Sequence, residues 1–440
     1  MIISASKLIA KRGRGRGHLL SRCLSSSCSA LSGELQYHRG LGALFNPTEE
    51  HEALRSMLRT FVEREVEPQA LEYNKTETFN KSLFQKLGTS NIGILGLTVP
   101  ESYNGTGFAD ATAVAIAHEE LSYADPAFCL SYLAHSVLFV HNLCMNGSHE
   151  QKNAFLPGAC EGSKVGGMCM SEPNAGTDVL GMKSSALYDE EKRGWVLNGT
   201  KMWITNGTIT GNETGDIFLV YARTGPAKGD ITQFIVEGGM EGFTVGQKIS
   251  DKLGMRASPT AELVFENVFL PQDTHVVGDV NGGMICMMRN LEIERVALAA
   301  MGIGIARRCV DEMKVYAGDR SAFGQPNLYS FGQIQRHIAE SYTDYMAGKC
   351  YVYALTNGLD MESSGNGLDS DGVKLYSAQM SKHVADRAIQ VMGGYGYVGE
   401  YVVERLWRDA KLLEIGGGTN ESHHKNMARD LRRMGSNKID

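Results

Sequence analysis

Residues Leu291 to Arg308 read LEIERVALAAMGIGIARR, and the way this stretch folds decides the architecture. Gly302-Ile303-Gly304 looks like a fragment of a dinucleotide-binding glycine loop, which would need a strand just before it. No strand-like run precedes it. Met287, Leu291, Glu294 and Leu298 instead recur at steps of four, three and four, the spacing of one helix face. The glycines therefore read as a place where helices approach closely. The same face carries an acid among apolar neighbours, which leaves two readings of Glu294 open. It is a general base whose basicity is raised by burial, or it is half of an ion pair with an arginine from another helix. Glu292 differs, because Arg289 and Arg295 lie three residues to either side and should pair with it on a solvated face.

Outward from this helix, the prolines divide the chain. Pro47, Pro68, Pro100, Pro126, Pro157, Pro173, Pro226, Pro259 and Pro271 punctuate the first two thirds, and after Pro326 there is none. A long proline-free tract with 3.6-residue periodicity predicts helices. The block from about Glu49 to Gly162 is also helical in pattern, as in EALRSMLRTFVEREVEPQALEY. The middle changes period. DIFLVYART, ITQFIVEGG and TAELVFENVFLP read as strands, and Asn198-Gly199 inside WVLNGTKMWIT predicts a tight hairpin. The fold class is thus α+β, with helices, then a β domain, then helices.

Of 440 residues, 42% are hydrophobic and 21% charged, an ordinary globular composition. No uninterrupted apolar run reaches ~18 residues in this reading, so no membrane-spanning helix is expected. Met1 to Gly33 holds six Lys or Arg, eight Ser and no acid, the pattern of an organelle transit peptide, assigned to residues 1–40. Met1 to Gly33 takes six of the 43 basic residues and none of the 50 acidic ones, so the rest of the chain is more acidic still than the net charge of −7 and is a poor binder of nucleic acid. The nine cysteines form no C-x-x-C pair, which fits reduced thiols and no metal site.

Two loops attract attention. MCMSEPNAGTDV, Met168 to Val179, is rich in backbone donors and short hydroxyls suited to a polar ring or phosphate. KMWITNG comes next, with Trp203 offering a flat face, although a strand tryptophan usually belongs to a core. QVMGGYGYVGEY, Gln390 to Tyr401, is a glycine-rich connection that either receives a ligand or turns tightly between helices.

Taken together, MSEPNAGTDV, NGTKMWITNG, DKLGMRASPTAELVFENV, DRSAFGQP, IQVMGGYGYVGEY and ERLWRDAKLLEIGGGTNE occur in one order. The chain resembles the acyl-CoA dehydrogenases, flavoproteins that introduce an α,β double bond into acyl-CoA thioesters, from about Phe45 to Leu431. The resemblance implies an N-terminal helical domain (45–165), a middle β-barrel or sandwich domain (166–280) and a C-terminal four-helix bundle (281–435). It also implies a mitochondrial matrix homotetramer with FAD at a subunit interface and electron-transfer flavoprotein as electron acceptor.

By position, the resemblance puts FAD against Met168, Cys169, Met170, Ser171, Glu172, Pro173, Asn174, Ala175, Gly176 and Thr177, with Trp203, Ile204 and Thr205 beside the ring. Arg320 and Gln390, Val391, Met392, Gly393 and Gly394 would hold the pyrophosphate and adenine part, and Thr419, Asn420 and Glu421 would complete the site. Thr177, Leu291, Glu292, Ile293, Arg295, Gly417 and Gly418 would border the acyl-CoA. Most of the family carries its catalytic glutamate before a Gly-Thr pair, where this chain has Gly417. A minority, including isovaleryl-CoA dehydrogenase, carries it in an L-x-L-E-R context, which LEIER matches at Glu294. The resemblance thus implies a short branched-chain acyl-CoA substrate of the isovaleryl type, in leucine catabolism, with Gly417 opening space beside the thioester. Departures at Ile285, Arg289-Asn290 and Gly332 leave another short- or medium-chain acyl-CoA as an alternative, and the glycine at the common base position, Gly417, leaves a catalytically silent flavin-binding subunit as another.

Overall fold

The structure, a computed structural model, describes residues 41–362 and 365–435. The leader assigned to residues 1–40 lies outside the described residues. Helices α1 (Glu49–Phe61), α2 (Ala111–Ala124), α3 (Pro126–His135) and α4 (His149–Cys160) form the first block, each started by a side chain that accepts an otherwise unpaired backbone N–H. Thr48, Asp110 and Asp125 cap the first three, and Ser148 with Gln151 makes a capping box for α4.

The run Pro126–Asn146 is long and apolar enough, by length and composition, to cross a membrane, yet 89% of its most apolar window is buried inside the fold. Its polar groups find partners there. His135 Nε2 lies 3.0 Å from the Ala159 carbonyl, and the Asn142 amide donates to the Tyr221 hydroxyl at 3.3 Å. The run is a core element.

The β domain comprises β1 (Gly166–Cys169), β2 (Ser185–Asp189), β3 (Gly194–Thr205), β4 (Ile217–Arg223), β5 (Ile231–Glu237), β6 (Phe243–Lys248), β7 (Thr260–Pro271) and β8 (Val276–Val277). The order is β6-β7-β3-β2-β4-β5-β8, with β1 parallel to β4 off this path. Strand β4 is buried on both faces. Phe218, Val220 and Ala222 face the sheet's own core, whereas Ile217 and Leu219 face Phe155, Leu156 and Ala159 of α4.

The hairpin expected at Asn198-Gly199 is absent, because β3 runs straight through it along β7 with a bulge between Leu197 and Gly199. The Asn198 carboxamide bonds across the strands to Asn267, accepting from its backbone N–H at 2.8 Å, so the asparagine pins a bulge instead of making a turn. The hairpin turn lies at Glu190–Arg193, where the Asp189 carboxylate accepts from the N–H groups of Glu191 and Lys192.

Helices α5 (Gly283–Asp319), α6 (Gly332–Thr356), α7 (Gly367–Met392), α8 (Val402–Leu413) and α9 (Asn420–Met434) complete the fold. Helix α5 is the central one, about 55 Å long, and packs on α2, α6, α7 and α8. Its glycines lie against neighbouring backbones. A Cβ at Gly302 would sit 2.8 Å from the Ser377 carbonyl oxygen, and one at Gly304 would sit 2.1 Å from Ser122 Oγ and 2.3 Å from the Glu119 carbonyl oxygen. The close-packing reading of this pair is the one the structure shows. Replacing Gly304 with valine forces α5 away from α2 and is expected to destabilise the protein by about 2–3 kcal/mol, seen as a lower urea midpoint at an unchanged slope.

Candidate active site

The site is built where the first turns of α5 meet the β domain. Met287 and Leu291 pack with Met168 of β1, Met182, Tyr221 of β4 and Ile231 of β5. Cys169, one residue on, points the opposite way into the sheet core, as strand alternation requires. Met170 and Ser171 are tied to β3 by their carbonyls, which accept from Lys201 Nζ at 3.1 Å and from the Met202 N–H at 2.9 Å. Sequence reasoning missed Lys201, a completely buried ammonium held 2.9 Å from Glu172. The signal was present: Lys201 shares inward parity with Trp195 and Leu197, and a buried lysine calls for an acid. The Glu172 carboxylate also accepts from the N–H groups of Lys183 and Ser184, so it organises the loop and has no free oxygen to offer a ligand. Pro173, Asn174, Gly176 and Thr177 form the exposed tip, and Ala175 is buried.

Trp203 sits on a second bulge of β3, with φ of 65°, and its indole is 61% exposed. A left-handed conformation for a large residue stores strain, and here it turns the ring out of the sheet. Ile204, next to it, is buried in the sheet core, and Thr205 is half-buried at the strand end. An exposed flat ring beside the donor-rich Ser171–Thr177 loop fits a planar cofactor.

The Glu294 side chain is 8% exposed, and its Oε2 has no hydrogen-bond partner among the described residues. Burial pushes its carboxyl up to about 7, against the opposing pull of Arg295 and Lys374. No arginine pairs with it among the described residues; the Arg295 guanidinium is instead 3.1 Å from Asp371 on α7. The carboxylate faces the glycine turn, because a Cβ at Gly417 would lie 3.6 Å from both Cδ and Oε1 of Glu294. Gly417 does not open a space, as the sequence suggested. The position of its missing Cβ is only 2.3 Å from Leu298 Cδ1, so Leu298 fills the place a side chain would need.

The reading of Glu292 is corrected. It is buried at 8% exposure, and its carboxylate accepts from the N–H groups of Gly365 and Asn366 at 3.1–3.3 Å, neither solvated nor paired with Arg289 or Arg295. A charged residue three along the helix can point its own way when a loop with free N–H groups offers itself. Ile293 faces the helical core. Thr419 caps α9 by accepting from the Ser422 N–H, Asn420 is buried with an unpartnered Oδ1, and Glu421 is exposed. Lys374, Asp371 and His423 crowd behind Gly418, and none was singled out from sequence.

The remaining residues form a separate patch. Arg320, at the far end of α5 and about 39 Å along the helix from Glu294, lies over the Tyr395 ring at 5.9 Å. It shares a surface recess of about 360 Å³ with Tyr316, Met392 and Tyr401. Val391 and Met392 are core side chains, while Gln390, Gly393 and Gly394 are exposed. One chain therefore presents two separate groups of the expected cofactor residues.

Family models described as the N-terminal, middle and C-terminal domains of acyl-CoA dehydrogenase match residues 48–163, 167–268 and 281–432. The chain belongs to the acyl-CoA dehydrogenase family, whose members are FAD-dependent oxidoreductases. Mitochondrial isovaleryl-CoA dehydrogenase of Solanum tuberosum is 41% identical over 88% of this chain and 91% of its own. Butyryl-CoA dehydrogenase from Megasphaera elsdenii superposes with a TM-score of 0.81 at 31% identity, covering 88% of this chain and 99% of that one. A glutaryl-CoA dehydrogenase from Mycobacterium smegmatis in complex with FADH2 gives a TM-score of 0.81 at 26% identity, covering 89% and 96%.

Gly417→Ala is expected to destabilise the protein through its φ of 65° by about 1–2 kcal/mol, with a further loss from the clash with Leu298. In a Leu298→Ala background the same substitution should cost less. Thermal unfolding of the two single variants and the double variant measures that coupling.

Proposed function

We propose that the protein dehydrogenates a short branched-chain acyl-CoA of the isovaleryl type to its 2-enoyl-CoA, with Glu294 as the base. The observation that carries this is the Glu294 carboxyl: desolvated, unpaired, aimed at the glycine turn, and pushed up to about 7. A base poised near ambient pH removes a weakly acidic α-proton most effectively. Bound FAD would supply the hydride acceptor for the β-carbon, so that the α-proton taken by Glu294 and the β-hydride would leave neighbouring carbons and a double bond would form. Met287, Leu291 and Leu298 keep water from the carboxylate and so preserve its basicity. Ser171, Thr177, Trp203 and Thr205 would hold the ring system, and Arg320 with the backbone of Gln390–Gly394 the pyrophosphate and adenine end. Gly418 and the backbone of the glycine turn would border the thioester.

The two cofactor patches in one chain support assembly with further copies, each lending its Arg320 patch to a neighbour, as in the homotetramer we infer. Exposed Phe323 and Tyr397 beside that patch are apolar surface such an assembly would cover. We also infer a mitochondrial matrix location behind a transit peptide at residues 1–40, electron-transfer flavoprotein as the acceptor, and leucine breakdown as the setting. The potato relative's name, which includes the word mitochondrial, supports the location.

Glu294→Gln is expected to keep its flavin and lose turnover by about a thousandfold; an active variant would overturn the base assignment. In the unaltered enzyme kcat/KM should fall about tenfold per pH unit below about 7, because only the ionised carboxylate abstracts a proton. Anaerobic bleaching of the flavin by isovaleryl-, isobutyryl-, butyryl- and octanoyl-CoA ranks the substrates. The branched five-carbon thioester should react fastest, and a catalytically silent subunit would respond to none.

A further inference from the structure

Behind the glycine turn lies a buried polar cluster that the proposed reaction does not use. Lys374 of α7 is completely buried, and its Nζ donates to the Gly418 carbonyl at 2.6 Å. His423 of α9 approaches the same carbonyl through Nε2 at 3.0 Å, while its Nδ1 lies 2.6 Å from Asp371. Asp371 also receives Arg295, the residue after Glu294, at 3.1 Å. Both ring nitrogens of His423 face acceptors, so only the doubly protonated ring makes both bonds. Burial lowers its pKa, so near neutral pH the ring keeps the short bond to Asp371, and the permanent donor to Gly418 is Lys374.

We propose that Lys374 is a positioning residue for proton abstraction: clamped on the Gly418 carbonyl, its ammonium holds the glycine turn against Glu294 and places a positive charge beside that carboxylate. The proposal rests on Glu294 being the base. Three features carry it. The Lys374 ammonium forms no ion pair within 4 Å among the described residues, although it is completely buried, so its charge is not spent on a neighbouring carboxylate. The turn it grips is the one whose Gly417 comes within 3.6 Å of the Glu294 carboxylate when a Cβ is added. Both glycines have positive φ, 65° and 101°, and glycine leaves such a turn free to move, so the Lys374 bond to the Gly418 carbonyl is what ties it in place.

Of the other charged and titratable groups around Glu294, Arg295 also favours the ionised carboxylate, and more strongly than Lys374, but it makes no hydrogen bond to the glycine turn among the described residues. From α5 comes Arg295, which is engaged by Asp371; from α7, Asp371 itself; from α9, His423. From the segment after α8 comes Glu414, engaged by Lys411, and from β4 the Tyr221 hydroxyl, which donates no bond to Glu294. Burial lowers Lys374 to about 8, with Glu294 the strongest charge pulling it back up. A positive neighbour favours the ionised carboxylate and so holds the base available at lower pH than burial alone would allow.

The test compares pH profiles of kcat/KM for the flavin-loaded tetramer or whatever assembly the full chain forms, using isovaleryl-CoA, for Lys374→Met and Lys374→Gln. Lys374→Met removes both clamp and charge. Its acid limb should move up by about one pH unit, with kcat/KM near pH 6.5 falling roughly tenfold relative to that at high pH. Lys374→Gln can still donate to Gly418 and should recover kcat at high pH while keeping the displaced limb. An acid limb that stays in place in either variant overturns the proposal, since a purely structural lysine would change rate or flavin content without moving it. Should the methionine variant not accumulate, the nearly isosteric glutamine variant decides alone. Glu294→Gln separates the two levels: if it is active, the base assignment fails, whereas an inactive Glu294→Gln beside an unmoved limb refutes only the role of Lys374.

Discussion

Everything about the position of the proposed base depends on a buried ionic knot some distance from it. Glu119 and Glu120 on α2 are almost wholly buried and are met by Arg55 from α1, Arg307 from α5 and Lys349 from α6 at 2.6–3.0 Å. The Tyr353 hydroxyl of α6 also donates to Glu119. The cations hold both carboxyls below their usual range despite burial, and burial lowers Lys349 to about 8. Charges this deep are tolerable only when every partner is in place, so four helices from opposite ends of the chain must dock together or not at all. Gly304, one turn before Arg307, lets α5 come close enough to α2 for the knot to close. Glu294 lies roughly 20 Å back along that same helix, so fixing Arg307 fixes where the carboxylate stands.

A second clamp attaches the β domain to the helices. The Asp409 carboxylate of α8 accepts from the Met255 N–H, and burial raises this carboxyl to about 6. Nearby, Arg405 of α8 lies 3.7 Å from Asp125 and donates to the Ala124 carbonyl. Helix α8 thus touches both the end of α2 and the loop before β7. With α5 meeting Met168 at one side and α8 holding this loop at the other, the sheet edge that carries Ser171 and Trp203 is seated against the helical frame.

Much of this was legible in the residues, and the failures share one cause. Periodicity identified α5, placed Glu294 among apolar neighbours and read Gly302 and Gly304 as a contact, because each rests on spacing within one element. The errors arose where a distant element supplied a partner. Asn198-Gly199 has the composition of a turn, but Asn267 on β7 bonds its side chain and turns it into a bulge. Glu292 had two arginines within reach on its helix, yet the backbone of Gly365 and Asn366 bonds it. Gly417 looked vacant until Leu298, seen only in three dimensions, was found in its place. Asp371, Lys374 and His423 lie on two helices and gave no local pattern beyond polar residues in otherwise buried stripes.

The packing of Leu298 into the space over Gly417 has a consequence for how such a site can change over generations. The resemblance implies relatives with the glutamate on the loop and others with it on the helix, differing at first sight by the placing of one residue. Here a loop side chain would meet the Leu298 Cδ1 methyl at 2.3 Å on a backbone with φ of 65°, so a residue larger than glycine requires Leu298 to turn aside and strains the backbone as well. Positions 298 and 417 are therefore coupled across the helix and the turn, and what either can carry depends on the other.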